Sequence, residues 1–174
     1  SNILTQGGTI LGTSNKANPF AYFPPQHQGR PHPKARDMSR HCVTTMRALG
    51  LDALVCIGGD GTMSIASRLA DERRLPIVGV PKTIDNDLPL TDYTFGFLTA
   101  VDTATEAIDR LHSTASSHHR VMIAEVMGRY AGWIALYAGV ASGSDVIVIP
   151  EIPYRLEAIA EFVQKRRRAG KRFS

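Results

Sequence analysis

From about residue 53 onward, short β-rich runs alternate with amphipathic stretches whose apolar residues recur at spacings of three and four. A chain of βαβ units produces that alternation. It restricts the chain to an α/β fold, a parallel β-sheet flanked by helices in a Rossmann-like three-layer sandwich. Strands are expected at 53–57, 76–80, 121–126 and 145–149, with a further one starting near Arg172. Helices are expected near 34–49, 62–73, 97–115, 130–141 and 155–169. Residues 1–33 read differently, because Gly7, Gly8, Gly12, Gly29 and a set of prolines make this stretch mostly loop. The expected organisation is a single core over 1–174, loop-rich at 1–33 and built of α/β units over 34–174. A long Gly/Pro-rich loop on a compact α/β unit is uncommon unless it is functional or lacks its supporting elements. At the other end a strand has barely begun at Phe173-Ser174, so both ends are expected to be incomplete.

Composition narrows the function classes. In 174 residues, 43% hydrophobic and 21% charged content is typical of a soluble globular protein with a real core. No apolar run approaches the roughly 20 residues that span a bilayer, and the N-terminus lacks the basic-then-apolar order of a signal peptide. No membrane partner is expected, and the expected location is the cytoplasm. Cys42 and Cys56 form neither a disulfide framework nor a metal-ligand set. Much of the excess behind the net charge of +4 sits in Lys165, Arg166, Arg167, Arg168, Lys171 and Arg172. Cations near the end of a helical pattern complement its dipole, so no nucleic-acid partner is expected, while a mild positive balance suits phosphate substrates.

The run Leu54-Val55-Cys56-Ile57 leads into Gly58-Gly59-Asp60-Gly61-Thr62 and then an apolar-periodic helix. A strand, a glycine-rich turn and a helix N-terminus bind anions, because backbone N–H groups approach phosphate oxygens and the dipole favours negative charge. A carboxylate beside phosphates is repulsive unless a divalent cation lies between them, and Mg²⁺ takes one or two carboxylates plus phosphate oxygens. That makes Asp60 a candidate metal ligand. The competing reading is a tight turn in which Asp60 only caps the helix.

Strand 76–80 is followed by Pro81-Lys82-Thr83-Ile84-Asp85-Asn86-Asp87, at the carboxyl edge of the sheet where open α/β proteins bind ligands. Asp85 is a candidate general base for an attacking hydroxyl, and Lys82 a candidate to neutralise a transferring phosphoryl group. Phosphoryl transfer needs mostly positioning and charge stabilisation, so such a set suffices in kind. The alternative is an Asx-type turn ordered by Asn86-Asp87.

Five segments together resemble the motifs of the 6-phosphofructokinases, in order and at about the same spacing. They are Gly-Gly-Thr-Ile-Leu-Gly-Thr-Ser (7–14), Gly-Gly-Asp-Gly-Thr (58–62), Pro-Lys-Thr-Ile-Asp-Asn-Asp (81–87), Ser-Ser-His-His-Arg (116–120) and Glu-Val-Met-Gly-Arg-Tyr-Ala-Gly (125–132). The resemblance covers essentially the whole chain and implies Mg²⁺-dependent transfer of a phosphoryl group to the 1-hydroxyl of fructose 6-phosphate, in glycolysis. It implies Asp60 as the magnesium ligand, with Gly59, Gly61, Thr62 and Lys82 around the donor's phosphates. Asp85 matches the catalytic base, with Thr83 and Asp87 completing the catalytic loop. Thr83, Ile84, Asp85, Met127, Gly128 and Arg129 match substrate contacts. Arg120 resembles an arginine that reaches the sugar phosphate of a neighbouring subunit, which implies a homo-oligomer, a tetramer or dimer. Arginine suits this work because its planar fork binds phosphate oxygens bidentately.

Each position has a plainer reading: Arg120 as a solvated charge, Met127 as core filling, Trp133 and Tyr137 as packing residues on one helix face, and His118 and His119 as loop or interface residues. The sequence also departs from the family pattern. The first nucleotide loop and its strand are missing, as are the later glutamate, arginine and histidine of the sugar site. Asn15-Lys16 stands where many bacterial members have a nucleotide-contacting arginine, and His112 replaces an effector-site arginine. On the donor, Gly61 resembles the choice of ATP enzymes, which leaves room for the α-phosphate, whereas pyrophosphate enzymes carry aspartate there. Lys82 resembles the pyrophosphate enzymes and a subgroup of ATP enzymes. Steric exclusion is harder to escape than one extra cation, so ATP is the expected donor and pyrophosphate the alternative. A non-catalytic sugar-phosphate- or nucleotide-binding module, such as a regulatory half, is the reading from a different class; the retained Asp60, Asp85 and Arg129 argue for catalytic ancestry, while the incomplete ends leave open that this fragment is by itself inactive. Diacylglycerol and NAD kinases share the Gly-Gly-Asp-Gly loop but lack the Thr-Ile-Asp-Asn-Asp and Met-Gly-Arg segments.

Overall fold

The computed structural model describes residues 2–14, 16–24 and 34–174. Its elements run α1 (Ser39–Ala48), β1 (Leu54–Gly58), α2 (Asp60–Arg73), β2 (Ile77–Thr83), β3 (Phe95–Gly96), α3 (Phe97–His118), α4 (Trp133–Ala141) and α5 (Leu156–Arg168). The strands form one three-stranded sheet in the order β1-β2-β3, and β2 pairs parallel with β3, Lys82 opposite Phe95 and Thr83 opposite Gly96. The expected α/β class with a parallel sheet and flanking helices is therefore present. The chain divides into two compact units, Ser1–Cys56 with Gly61–Gly79, and Ile57–Asp60 with Val80–Ser174.

In the first unit, α1 presents Val43 and α2 presents Leu69 to a core that Leu75 closes, with Phe20, Met46, Ile65 and Ile77 around it. Asp37 stands just before α1, and its Oδ1 accepts both the backbone N–H of Ser39 at 2.9 Å and its hydroxyl at 2.6 Å. Arg73, at the end of α2, reaches the same pair, with Nε 2.8 Å from Ser39 Oγ and an Nη 3.1 Å from Asp37 Oδ2. These bonds hold Asp37 below the usual carboxylate range, the Ser39 hydroxyl contributing most. Arg68 lies 3.8 Å above the ring of Phe20, so a loop aromatic seals this core through a cation. Among the described residues before α1, structure is limited to turns, bends and one antiparallel bridge between Tyr22 and Arg36.

In the second unit the core is Phe97, Val101 and Ile134, with Ile84, Ala100, Ala104 and Val126 packed against it. Phe97 is 0% exposed because α3 begins there, directly after Gly96 at φ +108°. Helix α3 lies along α4. A Cβ on Gly139 would stand 2.8 Å from Ile147, so this glycine sets the approach of α4 to the segment after it. No residue of α5 is buried; it is tied down by Arg166, which bonds Asp145 at 2.8 Å and the Ser174 hydroxyl at 3.0 Å.

Two expected strands are corrected. Segments 121–126 and 145–149 carry no strand, although their β-branched runs favour extended backbone. A strand exists through a ladder with a neighbour. The described ties of the first are a bond from Met122 N–H to the Ser174 carbonyl at 2.9 Å and one from Ser174 N–H to the Arg120 carbonyl at 3.4 Å. Among the described residues the strand expected near Arg172 likewise forms no ladder. Arg120 consequently follows the left-handed His119 in non-regular backbone and does not open a strand. Helix α2 starts two residues before the expected 62, and β2 runs on through Lys82 and Thr83.

Candidate active site

Strand β1 passes into α2 through Gly58 and Gly59, so Asp60 becomes the first residue of the helix, exposed at the positive end of its dipole. A Cβ on Gly59 would lie 3.6 Å from the Cβ of Thr83 and 3.9 Å from the Lys82 carbonyl oxygen. Glycine here sets how closely the turn approaches the end of β2. Gly61 differs: nothing lies within 4 Å of the position its Cβ would take.

The second loop starts where β2 ends. Asp85 donates its N–H to Thr83 Oγ1 at 3.2 Å, and Asn86 takes a left-handed φ of +52°. Asn86 Oδ1 accepts the N–H of Thr94 at 2.8 Å, and Nδ2 donates to the Asp92 carbonyl at 3.4 Å. The Thr94 hydroxyl donates to the Thr83 carbonyl at 2.7 Å. Wound this way, the loop leaves Asp85 half-buried and Asp87 exposed. Ile84 turns the other way, into the core beside Phe97.

The third segment is a turn in which Ala131 N–H donates to the Gly128 carbonyl at 2.8 Å. Gly128 is buried at φ +144°, and a Cβ there would run into the Ala131 carbonyl oxygen, so only glycine fits. Arg129 is exposed at φ +55°, its guanidinium 5.0 Å from the centre of the Tyr130 ring. Met127 is 74% exposed, which excludes the core-filling reading for it.

These three segments act electrostatically on one carboxyl. Burial pushes Asp85 above the usual carboxylate range, repulsion from Asp87 and Asp60 pushes it further the same way, and Arg129 opposes them. Asp60, Asp87 and Arg129, singled out in the sequence, are thus brought close enough to Asp85 to act on its charge. Lys82, exposed on β2, and Arg120, exposed beyond α3, are not among the charges acting on Asp85. Asn15 lies outside the described residues. His112 is engaged internally, with Nε2 3.0 Å from the Ser142 carbonyl oxygen and its ring edge-on to Phe173.

No group of three or more His, Cys, Asp or Glu among the described residues is placed to hold a metal by itself. A single exposed carboxylate such as Asp60 still fits Mg²⁺, which characteristically takes one or two carboxylates and completes its shell with water and phosphate oxygens. Beside the loop, residues 86–93 with Trp133 and Tyr137 line a cleft of about 790 Å³. Tyr93 stacks on Phe97 at 6.0 Å, Phe97 meets Tyr137 edge-on at 5.4 Å, and Trp133 meets Tyr137 at 6.2 Å. Trp133 and Tyr137 do pack, as expected, yet at 43% and 39% exposure they also form a wall of this cleft.

The sequence reading did not assign Thr94 or Glu151. Thr94 carries no motif signature. Glu151 Oε1 accepts the N–H of Gly132, the N-cap of α4, at 2.7 Å. The nearest signal in the sequence is indirect: a glycine immediately before a helix supplies no capping side chain of its own.

A glycine-rich strand-to-helix turn beside a carboxylate loop at the ends of strands is the arrangement in which α/β proteins of the phosphate-binding kind hold their ligands. The family model described as Phosphofructokinase matches residues 1–174. An ATP-dependent 6-phosphofructokinase 2 of Clostridium perfringens is 54% identical over 174 residues, 100% of this chain and 47% of that protein. A pyrophosphate–fructose 6-phosphate 1-phosphotransferase of Streptomyces coelicolor is also 54% identical, over 97% of this chain and 45% of its own length. Further relatives at 51 to 52% identity are ATP-dependent 6-phosphofructokinases. The structure of phosphofructokinase from Saccharomyces cerevisiae superposes with a TM-score of 0.67 at 35% identity, covering 79% of this chain and 22% of that one. The chain belongs to the phosphofructokinase family. It spans about half the length of the curated relatives it matches.

Proposed function

We propose that this chain carries the phosphoryl-transfer centre of a 6-phosphofructokinase that moves the terminal phosphoryl group of ATP to the 1-hydroxyl of fructose 6-phosphate. The observation that carries this reading is the half-buried Asp85, whose carboxyl is raised by its burial and by Asp87 and Asp60 and steadied by Arg129. A general base works best when its pKa is drawn towards the operating pH, and perturbed carboxyls cluster at functional sites. Asp85 accepts the proton of the 1-hydroxyl as that oxygen bonds to the γ-phosphorus; the bond to the β–γ bridging oxygen breaks, and ADP leaves with fructose 1,6-bisphosphate formed. Thr83 holds the backbone of Asp85, and Asp87 keeps its charge state tuned. Arg129, with Met127 and Gly128 in the same turn, contacts the sugar phosphate, and Ile84 anchors the loop from the core side. Asp60 would hold Mg²⁺, and the bound ion would neutralise charge on the donor's phosphates. Gly59, Gly61 and Thr62 present backbone N–H groups to those phosphates, and Lys82 adds a cation. Arg120 serves the site of a neighbouring subunit in a homo-oligomer, and the protein works in the cytoplasm. No helix among the described residues is long and apolar enough to cross a membrane.

Gly61 supports ATP as the donor. Gly61 lies in the first turn of α2, where neither a positive φ nor a close neighbour requires glycine, and the space it leaves suits the α-phosphate of ATP, which an aspartate there would exclude. The second reading is pyrophosphate, favoured by Lys82 and by the Streptomyces relative. A coupled assay on the protein that carries this chain, with fructose 6-phosphate and MgCl₂, separates them. Turnover is expected with ATP. Turnover with pyrophosphate and none with ATP moves the assignment to the second reading, and none with either donor sinks both.

A further inference from the structure

We propose that Thr94 is a positioning residue for the transfer reaction, clamping the Asp85 loop through two bonds that bracket the base, one to Thr83 and one to Asn86. The inference rests on the reading of Asp85 as the base. Thr94 is 4% exposed, lies on neither of the two motif loops, and bonds the loop on both sides of Asp85. Its hydroxyl holds the Thr83 carbonyl at 2.7 Å, and its backbone N–H holds Asn86 Oδ1 at 2.8 Å.

Both bonds constrain a backbone that would not hold its shape alone. Asn86 sits at φ +52°, a conformation an L-residue adopts only when its surroundings fix it, and Asn tolerates it because its side chain bonds locally. Thr83 in turn accepts the Asp85 N–H on its Oγ1 at 3.2 Å. One buried threonine thus sets the direction of the strand end, the left-handed residue after the base, and through Thr83 the base's own N–H. The segment carrying Thr94 is itself registered on β2 by the parallel pairing of Thr83 with Gly96. Gly96 at φ +108° allows this approach, since a Cβ there would lie 3.3 Å from Ile84 Cγ2. Proton transfer requires the base within hydrogen-bond reach of the hydroxyl, and a displacement of about 1 Å costs on the order of 100-fold in rate.

The test compares Thr94→Val, which keeps the shape and removes the donor, with Thr94→Ser, which keeps the donor. It is run on the whole protein, with Asp85→Asn as control and rates expressed per folded molecule. In Thr94→Val, kcat is expected to fall about 10- to 100-fold while KM for fructose 6-phosphate moves less than about threefold. Thr94→Ser restores most of the rate, which a residue needed only for stability would not do selectively for kcat. If Thr94→Val does not fold, Asn86→Gly, which keeps the left-handed φ and deletes the acceptor, must show the same split. An active wild type with an inactive Asp85→Asn and a Thr94→Val of normal kcat overturns the clamp alone. A wild type inactive with both donors, or a fully active Asp85→Asn, overturns the functional reading on which it stands.

Discussion

Glu151 accepts the backbone N–H of Gly132 at 2.7 Å, so a carboxylate from beyond α4 caps the helix that follows the Met127-Gly128-Arg129 turn. No side chain of the N-cap residue itself does so, because that residue is glycine. A Cβ on Gly132 would meet Ile149 and Glu151, which keeps the two segments in register. Glu151→Ala is expected to lower stability by about 1–2 kcal/mol, the usual cost of a lost N-terminal cap. Glu151→Gln, which keeps an acceptor, should lose less than half of that. Chemical denaturation of the three proteins checks the order.

Gly128→Ala tests the turn that carries Arg129. The added Cβ meets the Ala131 carbonyl oxygen at a φ of +144°, so the backbone must move. A cost of about 1–3 kcal/mol is expected from the backbone conformation alone. Affinity for fructose 6-phosphate should fall with it, because Arg129 is displaced. Unchanged melting and unchanged KM would show that the turn relaxes freely.

Asp85→Asn is expected to abolish most turnover while stabilising the fold at neutral pH. The folded pKa of Asp85 lies above its ordinary value, so ionisation costs the folded state more than the unfolded one. That penalty is absent below the unfolded pKa, grows between the two values, and is constant above the folded one. The variant should therefore melt above wild type at pH 7, with the difference vanishing as the pH drops below the ordinary carboxylate range. Equal melting at pH 7 would remove the electrostatic account of this site.

Arg129→Gln removes the cation that opposes this rise, so the acid limb of the activity profile should move to higher pH. A plot of kcat against pH reads this directly. A limb that stays in place would uncouple Arg129 from Asp85.

Asp37 gives the opposite sign. Its folded pKa is lowered by Ser39 first and then by Arg73, so its contribution is present above the unfolded pKa and is lost as pH falls through the folded one. Asp37→Asn should lower the melting temperature at pH 7 and match wild type in strong acid. A pH-independent difference would assign the effect to packing of α1.

Much of this was legible in the residues themselves. The Gly58–Thr62 and Thr83–Asp87 segments, the five helices and the first two strands follow from short-range signals, because glycine conformations, helical periodicity and turn chemistry act over a few residues. The strands expected at 121–126 and 145–149 failed for a reason of the same kind: β-branched runs favour extension, but a ladder needs a partner that local sequence does not supply. Helix α2 began earlier than its apolar period because Asp60 and Gly61 form its first turn without any apolar residue to announce it.

The amino-acid order by itself determined the family and the α/β class, and it singled out the carboxylates and the arginine proposed for the site. Only the tertiary structure decided that Asp60, Asp87 and Arg129 act on Asp85, that Thr94 braces its loop from both sides, and that Glu151 caps α4. Titration and bracing depend on distance between groups far apart along the chain, and packing of Phe97, Val101 and Ile134 with Ile84 sets part of that distance.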